Sequence, residues 1–75
     1  MIERRFHNAV YTAAAVEGAV KAYARFATIE SVEGEQHRVV RVTAKKPERE
    51  LRIANELANY ALGLLREEGG AHAIR

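Results

Sequence analysis

The sequence predicts a two-layer α+β domain, a three-stranded sheet with two helices packed on one of its faces. Two stretches, 13–27 and 47–67, repeat apolar residues at helical spacing. Three others alternate or are rich in β-branched residues, and the resulting order is β-α-β-β-α. Two amphipathic helices in that order pack most simply on one side of a small sheet, which leaves its second face open. A chain of 75 residues is about half of one ordinary domain, so it holds a single small core. Residues 1–68 are expected to form that domain and residues 69–75 a flexible C-terminal tail.

Residues 3–11 alternate well enough for a first strand, with Phe6 and Val10 on one face and Arg5, His7 and Ala9 on the other. Thr12 is the expected N-cap of the first helix. Behind it Val16, Ala19, Val20, Tyr23, Phe26 and Ala27 form one apolar stripe, while Glu17, Lys21 and Arg25 share the opposite side. Tyr23 and Phe26 are expected in the core. Alanines and Gly18 keep this helix slim enough for a close neighbour. Thr28–Val32 and Gln36–Thr43 read as a β-hairpin joined through Glu33-Gly34-Glu35. In its second strand Arg38, Val40, Val42 and Ala44 are expected to face the core, and His37, Val39, Arg41 and Thr43 the open side.

Pro47, with its fixed φ and missing N–H, suits the first turn of a second helix, where Glu48 and Glu50 complement the dipole. Leu51, Ala54, Leu57, Ala58, Ala61, Leu62, Leu64 and Leu65 form its apolar face, and Arg52, Asn55, Glu56, Asn59 and Arg66 the reverse. Tyr60 flanks the stripe beside Ile53 and Leu64. Running to Glu67, the helix is roughly 20 residues or about 30 Å long, more than a short sheet needs for cover. Gly69-Gly70 is expected to stop it.

Composition narrows the function more than any motif does. A hydrophobic share of 48% with 29% charged residues is that of a folding chain and not of a disordered tail. No apolar run approaches the roughly 18–20 residues that span a bilayer. Nor does Met1–Arg5 have an apolar stretch behind its charges, so a cytoplasmic location is expected. The net charge of +2 is small for a dedicated nucleic-acid binder. It is unevenly placed: residues 1–46 carry eight basic and five acidic groups, residues 47–75 four and five.

With no Cys, no Asp, a single serine (Ser31) and no glycine-rich phosphate loop, the common nucleophiles, Asp-containing triads and P-loops are removed. An enzyme therefore ranks last, and no cofactor or metal is expected. His7 and His37 fall on the open strand faces, but neither lies in a spaced ligand motif, and they meet only if the register brings them together. His72 belongs to the tail. An RNA-reading sheet would alternate aromatic and basic residues on its open face, where this one has His7, Val39 and Arg41. Two asparagines in mid-helix, Asn55 and Asn59, beside Arg52 and Arg66, suggest a solvated face or a recognition surface.

Two stretches together resemble a known family. Tyr11, Ala15, Val16, Ala19, Ala22, Tyr23 and Phe26 follow the form Y-x3-A-V-x2-A-x2-A-Y-x2-F, and the second helix reads Asn55-Glu56-Leu57-Ala58-Asn59-Tyr60-Ala61-Leu62 before Leu65-Arg66-Glu67. With the hairpin between them, covering 6–67, they resemble the HxsD-like proteins, the small D component of the His-Xaa-Ser systems. The sequence departs from that pattern in two places. Gly63-Leu64 and a further leucine displace Arg66-Glu67 by about one turn, and Asn59 stands where the family has an acidic residue before the Tyr. The resemblance implies a non-catalytic accessory protein beside a radical-SAM enzyme that modifies a small peptide, with that enzyme or its precursor peptide as partner.

The expected function is thus an adaptor that binds a partner protein or peptide. Its candidate surfaces are Arg52, Asn55, Asn59 and Arg66 on the second helix and His7, His37 and Arg41 on the open sheet face. The alternatives are a weak, shape-reading RNA- or ribosome-associated binder using the basic N-terminal half, and a self-associating structural subunit. A core this small also leads one to expect a homo-oligomer.

Overall fold

The computed structural model describes the backbone of residues 1–74 and the side chains through Glu68. Its elements are β1 (Ile2–His7), α1 (Ala13–Tyr23), β2 (Thr28–Glu33), β3 (His37–Thr43) and α2 (Pro47–Ile74). This is the α+β order the sequence predicts. The three strands form one antiparallel sheet in the order β1-β3-β2, with β3 in the middle.

Both helices pack on one face of that sheet. Phe6 of β1 and Val40 and Val42 of β3 meet Val16 and Ala19 of α1 and Ile53, Ala54, Leu57 and Ala61 of α2. Strand alternation puts Ile2, Arg4 and Phe6 on this side and Glu3, Arg5 and His7 on the other. Thr12 caps α1 as expected, its Oγ1 accepting from the Ala15 N–H at 3.1 Å. Gly18 brings the helices together, since a Cβ there would lie 2.7 Å from Leu64 Cδ1.

Four expectations are corrected. First, the strand expected over 3–11 closes at His7. The His7 carbonyl accepts from Val10 and Tyr11 N–H, both at 2.9 Å, and Asn8 Nδ2 donates to the Gly34 and Glu35 carbonyls at 3.0 and 3.1 Å. An Asn that bonds backbone in this way makes a turn where alternation alone suggests strand. Val10 is consequently 58% exposed and does not share the face of Phe6. Tyr11 packs edge-on against Phe6 instead, with ring centroids 5.0 Å apart.

Second, α1 ends at Tyr23 in a tighter turn, with Phe26 N–H donating to the Tyr23 carbonyl at 3.0 Å. Phe26 leaves the helical stripe and is 47% exposed, while Tyr23 stays half-buried. Third, Leu51 is exposed, and Ile53 takes the buried place beside Leu57. Fourth, α2 does not stop before Gly69-Gly70. Its backbone is helical to Ile74, because glycine weakens a helix by about 1 kcal/mol but ends it only when it turns left-handed. The flexible tail expected over 69–75, with His72, concerns side chains outside the described residues.

Polar groups at the core margin are tied down. Arg38, on the core side as expected, is 13% exposed and donates to Glu17 Oε2 at 2.8 Å, so Glu17 is not simply solvated. Glu50 is buried under the sheet end: Oε1 accepts from the Met1 ammonium at 2.8 Å and Oε2 from the Ala44 N–H at 3.0 Å. These bonds, the ammonium first, hold its carboxyl below the usual carboxylate range. No helix among the described residues is long and apolar enough to cross a membrane.

Candidate functional site

The seven residues singled out in the sequence divide between two sides of the molecule. On α2, Arg52, Asn55, Asn59 and Arg66 are all exposed and lie within one helical stripe. They are not equally free. Asn55 Oδ1 accepts from Arg4 Nη2 at 2.6 Å, so part of its polarity serves to tie α2 to β1.

His7, His37 and Arg41 lie on the face that no helix covers. The register pairs His7 directly with His37, and their rings meet edge-on at 4.7 Å. The Ala9 N–H donates to His7 Nδ1 at 3.1 Å, which occupies one of the four ring nitrogens. Among the described residues no three His or acidic side chains gather as a metal would require. Arg41 stands in a row across all three strands, Glu3–Arg41–Glu30, with its Nε 3.1 Å from Glu3 and its Nη1 3.4 Å from Glu30. Those two hydrogen bonds raise its pKa further, so it remains a fixed cation. The next row is Arg5–Val39–Val32, where Val32 is exposed and Val39 half-buried. The sheet separates these residues from the α2 group, and the two sets do not form one site.

A different surface is concave. The turn after α1 and the start of α2 enclose a cleft of about 760 Å³ at the sheet end, lined by Arg25, Phe26, Thr28, Thr43, Lys45, Lys46 and Arg49 with three alanines. No carboxylate contributes to that lining. A second cleft of about 460 Å³ continues between the helices along Tyr23, Ile53, Arg52, Glu48 and Glu56, and shares Phe26, Lys46 and Arg49 with the first. The two form one groove with Phe26 at the junction.

The ring of Phe26 lies 5.5 Å from the Arg25 guanidinium carbon and 6.0 Å from the Tyr23 ring. Tyr23 in turn meets Tyr60 edge-on at 5.8 Å. Burial, then Glu56 and Tyr60, push the Tyr23 phenol up, so it stays neutral. Among the described residues none of Arg25, Lys45, Lys46 or Arg49 has a carboxylate within ion-pair distance.

Of this groove the sequence marks only Arg52. Yet a signal for the rest exists in the hairpin. A register that pairs Glu33 with Arg38 also pairs Thr28 with Thr43, and so places Arg25-Phe26, just before β2, beside Lys45-Lys46, just after β3. Comparison with family models, with curated proteins and with solved structures finds no match to this chain.

Proposed function

We propose that this chain is a non-catalytic adaptor that binds a partner protein or peptide. The observation that supports it is the groove between the end of α1 and the start of α2, where an aromatic ring 47% exposed sits on an apolar floor. A large ring left accessible in a concave surface is the usual anchor of a protein interface, because covering it removes apolar area from water without reshaping the fold. The same role is what the resemblance to the HxsD-like proteins implies, with a radical-SAM enzyme or its precursor peptide as partner. Arg52 joins the groove from the α2 stripe, and Asn59 and Arg66 extend that surface outward.

The test is capture of partners from the source organism's lysate by tagged protein, at low and high salt and with nuclease. A partner retained at high salt and lost on Phe26→Ala supports the adaptor, as does weakening by Arg52→Ala with Asn59→Ala while the helical circular dichroism is unchanged. Recovery that nuclease abolishes would mean an RNA-associated protein instead. The uncovered sheet face, with Val32 and Val39 beside His7 and His37, favours homo-oligomer formation as a second reading. Light scattering checks it: a concentration-independent mass above that of one chain is the expected result for such a subunit.

A further inference from the structure

We propose that the groove receives an acidic peptide segment with one large apolar side chain, the carboxylates over Arg25, Lys45, Lys46 and Arg49 and the apolar group against Phe26. This rests on the adaptor function and adds to it the chemistry of the partner.

Charge complementarity carries the first part. Four cations converge on a cleft to which no carboxylate contributes, and among the described residues none of them is neutralised by an ion pair. Arg38 lies against Glu17 and Arg41 between Glu3 and Glu30, whereas Arg4 and Arg66 stand singly with no carboxylate in ion-pair distance among the described residues; what sets the groove apart is that its four cations share one cleft. Gathered cations left without partners repel one another, and a ligand that brings negative charge relieves that repulsion while steering its own approach.

The floor carries the second part. It is built from the Phe26 ring, alanines on both sides and, further along, Tyr23 and Ile53, surfaces that favour a side chain such as Leu or Phe. The groove also has a direction. Its sheet end is wholly basic, whereas between the helices Glu48 and Glu56 join Arg49 and Arg52, so the acidic part of the segment lies at the sheet end.

A single-stranded nucleic acid meets this surface less well. Successive bases need successive stacking faces, while the lining of this groove has one open ring, Phe26: its neighbour Tyr23 is half-buried, and Tyr60, though exposed, stands outside the lining. A phosphate chain running along the groove would also come up against Glu48 and Glu56.

The experiment is fluorescence anisotropy with the full chain and three labelled probes: a short Glu-rich peptide carrying one central Leu, the same peptide with Gly for that Leu, and an oligouridylate of equal charge. The Leu peptide is expected to bind saturably and more tightly than the other two. Lys46→Glu with Arg49→Glu should weaken it about tenfold or more through like-charge repulsion, and Phe26→Ala about fivefold through lost apolar contact. Absence of saturable binding, equal binding by the charge-reversed protein, or preference for the oligouridylate overturns the proposal. The same variants in the lysate capture separate the two levels. A partner lost on Phe26→Ala but kept by the charge-reversed protein leaves the adaptor standing and overturns the acidic ligand; no nuclease-resistant partner even at low salt, where charge pairing is least screened, removes the adaptor itself.

Discussion

Glu50 shows how much one side chain can hold in a chain this short. It opens α2, yet its two oxygens reach the Met1 ammonium and the Ala44 N–H, so a single carboxylate joins the start of β1, the end of β3 and the first turn of α2. Because these bonds favour the charged form, its folded-state pKa lies below the usual 4.5 or so. On acidification the unfolded chain therefore takes up the proton first. The carboxylate's contribution is complete above about pH 4.5 and is lost as pH falls through the depressed folded-state value. Glu50→Gln is expected to melt at a lower temperature than the parent at neutral pH, and the gap should close as both are titrated to about pH 2. A gap that stays constant over the titration would show that the charge is not its source. The sequence marks Glu50 as a first-turn acid favoured by the dipole. Its burial is invisible there, since the contacts that cause it come from residues six and 49 positions away.

At the scale of elements Gly18 of α1 and Gly63 of α2 behave oppositely. A Cβ on Gly18 would sit 2.7 Å from Leu64 Cδ1, whereas one on Gly63 meets nothing within 4 Å. Gly63 therefore contributes only the flexibility of a glycine in mid-helix. Gly63→Ala should stabilise the fold by about 0.5–1 kcal/mol, seen as a higher urea midpoint with an unchanged slope. Gly18→Ala should give no such gain, because Leu64 must move. Periodicity places both helices, β-branched stretches around Gly34 place the hairpin, and the element order then leaves one sheet face uncovered, since each of these signals is local in the chain. Such signals fail where a long-range partner decides. Asn8 turns the chain because Gly34 and Glu35 offer it carbonyls. Phe26 continues the apolar spacing of α1 but lies beyond the helix, so its exposure, and with it the groove, could be found only from the strand register. His7 and His37 illustrate the same limit in the opposite sense: their residue types were visible, and only the pairing of β1 with β3 brings them into contact.

For the molecule as a whole, the decisive quantity is how little apolar bulk the core contains. Of the ten buried apolar side chains among the described residues four are alanine, so most of the hydrophobic stabilisation there falls on Phe6, Val16, Val40, Val42, Ile53 and Leu57. Leu57 is the largest that is fully enclosed, and it packs where α2 crosses both α1 and the sheet. Truncating such a leucine typically costs about 2–5 kcal/mol, from lost transfer energy and the cavity left behind. A single core in a domain of this size seldom supplies more than about 3–5 kcal/mol in total. The two figures are comparable, and the consequence is all-or-none rather than graded. Leu57→Ala is expected to lose its cooperative thermal transition and most of its helical circular dichroism at 25 °C, while the exposed-site variant Phe26→Ala melts within a few degrees of the parent. If Leu57→Ala instead retained a sharp transition only a few degrees lower, the chain would be drawing stability from outside this core. A melting temperature that then rises with protein concentration would identify the source as association, since binding that favours the folded state raises stability by mass action.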